Sequence, residues 1–138
     1  MLLGEYSSQL GEKNRIAIPK RIREELEGKI VVTRGYEGCL ILVDDNRWNK
    51  LIEEVNTKSL LNLSVRDTKR FLLGGAVEVE MDSQGRFVIP DSLINFSQIL
   101  TTAIFIGVGE WAEIWSEELW KKKLDILKNN VSDLAERL

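Results

Sequence analysis

Histidine is absent from the 138 residues, cysteine occurs once and proline only twice. Without histidine the chain lacks the commonest general base, and one thiol can complete neither a zinc site nor an intrachain disulfide. Histidine-based catalysis and zinc-finger binding are therefore excluded, and we expect no cofactor. Because the single Cys39 stands inside an apolar run, we interpret it as a small buried hydrophobic residue.

Long hydrophobic runs are also missing. The run Cys39 to Val43 is far shorter than the roughly 20 residues needed to cross a bilayer, so we expect no membrane partner. The first residues show neither a basic leader nor an extended apolar stretch, so no secretory signal is visible. With 43% hydrophobic and 30% charged residues, the composition favours one folded body in water, and the single cysteine suits a reducing cytoplasm.

The net charge of −3 argues at first against nucleic acid, whose phosphates are neutralised mainly by lysine and arginine. The distribution of charge is more informative than its sum. Between Leu10 and Arg23 five basic residues oppose the single acid Glu12, a local balance of +4, whereas the rest of the chain carries −7. An acidic body with one basic strip suits a DNA-contacting protein, although most such strips are only solvated surface.

An internal repeat divides the chain. The segment from Leu10 to Pro19 recurs as Met81 to Pro90, at an offset of 71 residues. The similarity continues beyond each proline, with Trp48 opposite Trp120 at an offset of 72. The repeat predicts two copies of one structural unit.

The turn of the second copy has clear turn chemistry. Gly85 can adopt positive φ, and the Asp82 carboxylate can accept backbone N–H groups within the turn. Arg86 is thereby placed at the tip, and Pro90 predicts that the following strand ends where a helix begins. In the first copy Gly11 replaces the aspartate and Asn14 replaces the glycine, so we expect that turn to form but to be less rigid.

Each copy reads as strand, turn, strand, short helix, strand, turn, strand and amphipathic helix, which predicts a β-rich α+β fold with helices packed around the sheet. Ser64 and Asp67 are spaced as a capping pair and Gly74 can end the helix that joins the copies. The tryptophans occupy positions suited to the core or to a subunit interface. We predict a first unit in residues 1–58, a connecting helix in 59–75, a second unit in 76–127 and a tail in 128–138, all in one compact body.

Two turns of the form Arg-apolar-x-Ile-Pro, at Arg15 and Arg86, resemble the MraZ family. The opening Met1 to Tyr6, the junction Arg70 to Ala76 and the run Glu80 to Arg86 are similar to the family pattern in order and spacing. The resemblance covers nearly the whole chain. It implies a double-split β-barrel of two tandem AbrB-like swapped hairpins, and a ring-shaped homo-oligomer. It also implies a cytoplasmic, nucleoid-associated DNA-binding regulator of the cell-division and cell-wall gene cluster.

Arg15 is the first candidate for a DNA contact, because a guanidinium on a turn can bind guanine O6 and N7 or clamp a phosphate. The other candidates share its turn or the next short helix and would position the protein on double-stranded promoter repeats: Lys13, Asn14, Lys20, Arg21 and Arg23. Arg86 admits two interpretations, an auxiliary DNA contact or an ion pair with Asp82 that pins the second turn. The acids Asp82 and Asp91 favour a scaffolding role for that copy.

Two other classes of function compete with a DNA regulator. AbrB-like hairpins also occur in antitoxins, where a flexible tail captures a partner, but the tail of this chain is short and weakly patterned. An enzyme could use the adjacent carboxylates of Asp44 and Asp45, but side chains adjacent in sequence rarely converge on one substrate. We therefore expect neither an enzyme nor a small-molecule substrate.

Overall fold

Two copies of the same run of elements make up the chain, which we describe from a computed structural model covering residues 1–138. The strands are β1 (Leu2–Gln9), β2 (Arg15–Ala17), β3 (Ile30–Arg34), β4 (Leu40–Asp44), β5 (Val77–Val79), β6 (Arg86–Val88), β7 (Thr102–Gly109) and β8 (Ala112–Ser116). The helices are α1 (Lys20–Arg23), α2 (Asp45–Asn56), α3 (Leu63–Leu72), α4 (Asp91–Ser97), α5 (Glu117–Asn129) and α6 (Val131–Glu136). Apart from α3 and α6, every element of the first copy has a counterpart in the second, which confirms the predicted order of elements.

The two copies exchange strands. Six strands form one antiparallel sheet in the order β1-β7-β8-β4-β3-β5, and β2 and β6 form a separate two-stranded sheet, here called the ribbon. The first strand of each copy pairs with the third strand of the other copy, β1 with β7 and β5 with β3. The α+β class is confirmed, and the closure of these strands into a double-split barrel stays a prediction.

The main core lies between one face of the six-stranded sheet and the ribbon. Alternate residues of β3, such as Ile30 and Val32, point into this core, where they meet Ile16 and Phe87 of the ribbon. All four side chains are at most 2% exposed. Burial of each such side chain contributes about 1.5–3 kcal/mol, so the ribbon is held firmly against the sheet.

The opposite face of the sheet is covered by helices. Val31, Ile41 and Val43 form an apolar cluster with Leu51 of α2 and Leu72 of α3. A second cluster on this face joins β7 and β8 to α5 and contains Cys39, Trp115 and Trp120, all of which are buried. The predicted burial of Cys39 and of these two tryptophans is confirmed.

Side chains cap the longer helices. The Asp44 carboxylate accepts the Arg47 backbone N–H at the start of α2, and the Ser116 hydroxyl accepts the Leu119 N–H at the start of α5. The prediction for α3 was wrong, because its cap is Asn62, whose side-chain oxygen accepts the Ser64 N–H at 2.8 Å. Helix α3 begins at Leu63, one residue before the predicted cap.

The proline prediction is confirmed in both copies. Pro19 follows the end of β2 and immediately precedes α1, and Pro90 stands in the same relation to β6 and α4. No helix in the chain has both the length and the apolar character needed to cross a bilayer.

Candidate nucleic-acid interface

The first turn, which connects β1 to β2, is shaped by the backbone alone. The Gly11 N–H donates to the Arg15 carbonyl at 2.7 Å, and Lys13 and Asn14 adopt left-handed conformations with φ of 58° and 60°. Asparagine accepts this conformation more readily than most residues, as predicted. The left-handed conformation of Lys13 had no signal in the sequence. This turn presents Lys13 and Arg15 to solvent.

The second turn, which connects β5 to β6, repeats that geometry and adds a carboxylate. The Asp82 N–H donates to the Arg86 carbonyl at 2.8 Å, and Gly85 has φ of 75°. One Asp82 oxygen accepts the backbone N–H groups of Gln84 and Arg86, each at 2.9 Å, as the sequence predicted. These hydrogen bonds, led by the one from the Arg86 N–H, lower the pKa of Asp82 below its ordinary value.

Arg86 is engaged within its own turn. Its Nε donates to the second Asp82 oxygen at 2.9 Å, in an ion pair whose side chains are 40% and 36% exposed. The ion pair that the sequence suggested for Arg86 is thus present. Arg15 holds the equivalent position in the first copy and faces Gly11, which offers no side chain, so its guanidinium makes no hydrogen bond or ion pair within the chain.

The ribbon has one buried face and one outer face. Arg15 pairs with Val88, Ile16 with Phe87, and Ala17 with Arg86. Because side chains alternate along a strand, the burial of Ile16 and Phe87 directs the other four residues outward. Arg15 and Arg86 therefore lie on the same outer face, at diagonal positions, and both line a shallow depression with Ala17 between them.

The basic residues of the first copy fall into two groups. Lys13, Arg15 and Arg21 are exposed and unpaired, and Lys20 is exposed with only a long contact of 3.9 Å to Glu24. An exposed ion pair at that distance contributes little to stability, so Lys20 is also free to contact a partner. These four cations lie within nine residues of the chain, on the first turn, the ribbon and α1.

The remaining candidates, Arg23 and Asn14, connect the two copies. Arg23 is half-buried and its Nη1 donates to the carbonyls of Ile18 at 3.2 Å and Gln84 at 3.4 Å, which ties α1 to the second turn. Asn14 donates from Nδ2 to Asp91 at 2.8 Å, which ties the first turn to α4. Each turn is thus held by the short helix of the other copy.

Two features of this surface were missed from the sequence. Val88 is 44% exposed on the outer face, directly opposite Arg15, although it stands between two apolar residues of the sequence. Period-2 alternation counted from the buried Phe87 would have identified it. Asp91 as the partner of Asn14 had no signal, because the two residues are 77 positions apart.

The chain matches a protein-family model and is similar in sequence to proteins that carry one name. The family model described as "MraZ protein, putative antitoxin-like" matches residues 1–71 and again residues 72–138. A transcriptional regulator MraZ of Caldanaerobacter subterraneus is 38% identical over 138 residues, which are 100% of this chain and 96% of the relative.

Two further relatives with the same name are similar to this chain over most of their length. The protein of the same name from Syntrophomonas wolfei is 37% identical over the same shares of both chains. That from Clostridium acetobutylicum is 42% identical over 120 residues, 87% of this chain and 84% of the relative. Both family matches and full-length relatives thus cover the ribbon, the sheet and the helices, and the chain belongs to the MraZ family.

Proposed function

We propose that this protein is a sequence-specific DNA-binding transcriptional regulator that acts without catalysis, in the cytoplasm and at the nucleoid. Its targets are repeated promoter elements of cell-division and cell-wall genes, which it binds as a ring-shaped homo-oligomer. Relatives that match the chain over its full length carry the name transcriptional regulator. The observation that carries the proposal is the unpaired Arg15 on the outer face of an otherwise well-anchored ribbon.

The ribbon is the element that enters the DNA. The major groove of B-DNA is about 12 Å wide and admits a two-stranded β-ribbon. Arg15 has all five of its donors available for a guanine edge or a phosphate, since no group of the chain occupies them. The main entropic cost of binding DNA is the ordering of the Arg15 side chain, because the buried Ile16 and Phe87 already fix the backbone of the ribbon.

The exposed cations around Arg15 bind the sugar–phosphate backbone. Lys13 on the first turn and Lys20 and Arg21 on α1 provide charge for phosphates on either side of one groove. Asn14 and Arg23 contribute by fixing the turns through Asp91 and Gln84. In this proposal Arg15 specifies the sequence and its neighbours position the ribbon.

The second turn has a supporting role. Asp82 neutralises Arg86 and Gly85 packs beneath Arg23, so this turn offers less free positive charge to DNA. Arg86 still borders the same depression as Arg15, and it becomes an auxiliary contact only when its ion pair opens. The closure of both swapped hairpins into a double-split barrel keeps the two turns at fixed positions.

One ribbon is too small to specify a promoter. Specific protein–DNA interfaces usually bury roughly 1,000 Å² or more of protein surface, and this ribbon consists of three residue pairs. Several subunits on repeated sites convert weak single contacts into avid binding when subunit and repeat spacings match.

The test compares Arg15→Ala with Arg86→Ala on a duplex selected from bound fragments. One bidentate guanine contact is worth about 1–3 kcal/mol, so we expect Arg15→Ala to lose about 5-fold to 150-fold per subunit, with an unchanged melting temperature. Arg86→Ala should lower the melting temperature and affect DNA less. Lys128→Ala, on α5, is the matched control for loss of a cation elsewhere. Equal loss of DNA affinity in Arg15→Ala and Arg86→Ala contradicts this division of roles.

A salt series separates DNA binding from the competing antitoxin-like function, to which the family description refers. Release of counterions makes DNA affinity fall steeply with salt, and each lost phosphate contact reduces the slope of log K against log salt by about 1. We expect Lys20→Ala and Arg21→Ala each to show this reduction. Retention of a protein partner with no salt-dependent DNA binding favours the antitoxin-like function instead.

A further inference from the structure

An apolar groove lies on the helical side of the molecule, opposite the ribbon. It runs between α2 and α3, encloses about 490 Å³ and is open to solvent along its length. Its apolar lining comes from both helices and from two loops: Leu51, Val55, Val65, Leu72, Tyr36 and Trp111. Clefts of this size accommodate several apolar side chains.

The groove extends into an exposed apolar border. Lys58 and Ser64 both line it, and the segment between them presents three leucines to solvent. Leu60, Leu61 and Leu63 are 59%, 91% and 58% exposed. Exposed apolar side chains beside an apolar groove are typical of an interaction site.

A second unpartnered apolar surface lies at the other end of the chain. Every residue of α6 is exposed, Val131 and Leu134 lie on one side of it, and Leu138 follows two residues after its end at the next spacing of four. Leu124 and Leu127 precede them at the same spacing in the sequence and pack on the body of the protein, but Asn130, which is not helical, separates α5 from α6. Val131, Leu134 and Leu138 thus form a separate apolar stripe that belongs to none of the apolar clusters of its own chain.

We propose that the groove between α2 and α3 receives α6 of a second copy of this chain, with Val131, Leu134 and Leu138 as anchors. This is the helix-in-groove mode, in which spacings of three and four residues place successive side chains along an apolar cleft. The proposal rests on the homo-oligomer of the proposed function and names its interface.

Charge favours this pairing over self-association of α6. The segment from Val131 to Leu138 carries Asp133 and Glu136 against Arg137, whereas α3 carries Arg66, Lys69 and Arg70 against the single Asp67. An acidic helix is attracted to a basic groove wall and repelled by a second acidic helix.

The geometry of such a contact has a consequence for assembly. The groove and the stripe are different surfaces of one chain, so each copy donates α6 to one neighbour and accepts α6 from another. A head-to-tail contact of this kind builds rings when its rotation closes. The ribbon lies on the other side of the sheet from the groove, so neighbours docked there leave the ribbons free.

The experiment uses two variants of the full chain, each defective in one surface. Val65→Asp places a carboxylate in the groove, in the first turn of α3 where an acidic residue suits the helix dipole. Leu134→Asp removes the central anchor from an exposed position and should leave the fold unchanged. Ser132→Asp, away from the stripe on α6, is the matched control, and circular dichroism checks that each variant is folded.

Light scattering at micromolar protein concentration measures the mass of the species that each variant forms. We expect the wild type and Ser132→Asp to form oligomers, and each of the two defective variants to remain at the monomer mass of 15.8 kDa. An equimolar mixture of Val65→Asp and Leu134→Asp should form a species of twice that mass and nothing larger, because only one intact groove and one intact stripe can meet.

Other results overturn the proposal. If Val65→Asp still assembles while Leu134→Asp does not, α6 associates with itself. If the wild type is monomeric, or if the mixture stays monomeric, the groove does not receive α6. Binding of folded Val65→Asp to a single-site duplex, compared with its Arg15→Ala derivative, tests DNA recognition separately, so the two proposals can fail independently.

Discussion

Gly85 is the position where a single methyl group should perturb both copies. Its φ of 75° is left-handed, and a Cβ there would clash with Nη1 and Cδ of Arg23. Gly85→Ala therefore combines backbone strain with displacement of the side chain that ties α1 to the second turn. The left-handed conformation alone costs an L-residue roughly 1–2 kcal/mol.

The displaced Arg23 adds to that cost. Its hydrogen bonds to the carbonyls of Ile18 and Gln84 are long and partly exposed, so we assign each about 0.5–1 kcal/mol. The sum is about 2–4 kcal/mol in the free energy of unfolding. At about 3 °C per kcal/mol for a chain of this size, the melting temperature should fall by about 6–12 °C.

Gly28→Ala is the matched control. Gly28 has the same φ of 75°, and no atom lies within 4 Å of the Cβ it would gain, so only the backbone cost applies. Urea unfolding of both variants, each with and without Arg23→Ala, completes a double-mutant cycle. Equal destabilisation by Gly85→Ala and Gly28→Ala, or no relief from Arg23→Ala, refutes the role given to Arg23.

Two more predictions concern carboxylates. Because the folded-state pKa of Asp82 is lowered, its carboxylate stabilises the fold above the ordinary aspartate pKa of about 4, and this stabilisation is lost as pH falls below that value. Urea unfolding between pH 5 and pH 2.5 should therefore show a smaller decrease in the free energy of unfolding for Asp82→Asn than for the wild type. Asp44 is 2% exposed and accepts hydrogen bonds from Arg47 Nη1 at 2.7 Å and from the Glu27 N–H at 3.1 Å. We expect Asp44→Ala to lower the free energy of unfolding by about 3 kcal/mol and Asp44→Asn to lower it by less. An unchanged urea midpoint for Asp44→Ala would contradict this prediction.

Local features of the sequence predicted local features of the structure. Pro19 and Pro90 identified the junctions of strand and helix, because a residue without an N–H and with fixed φ suits only such places. Asp82 and Gly85 identified the closed turn, because their conformations depend on neighbours within four residues. The offset of the repeat predicted that the first copy would form the same turn without the carboxylate.

The sequence pattern did not predict contacts between residues that are far apart in the chain. The exchange of β1 and β5 came from the family resemblance, since period-2 alternation indicates a strand but not its partner. Arg23 was grouped with the free cations because it lies in the basic segment, whereas its partner Gln84 is 61 positions away. The difference between Arg15, which is free, and Arg86, which is paired, depends on an acid four positions earlier, and the sequence offered the ion pair with Asp82 as one of two interpretations of Arg86.

The exchange of strands also bears on how the two turns came to differ. Were the copies separate chains forming a symmetric pair, any substitution would appear in both turns at once. Joined in one polypeptide, the halves meet at a fixed effective concentration, and their association does not weaken on dilution. Covalent linkage therefore permits Gly11 to stand in one half where Asp82 stands in the other, so that Arg15 is left unpaired while Arg86 is held in an ion pair.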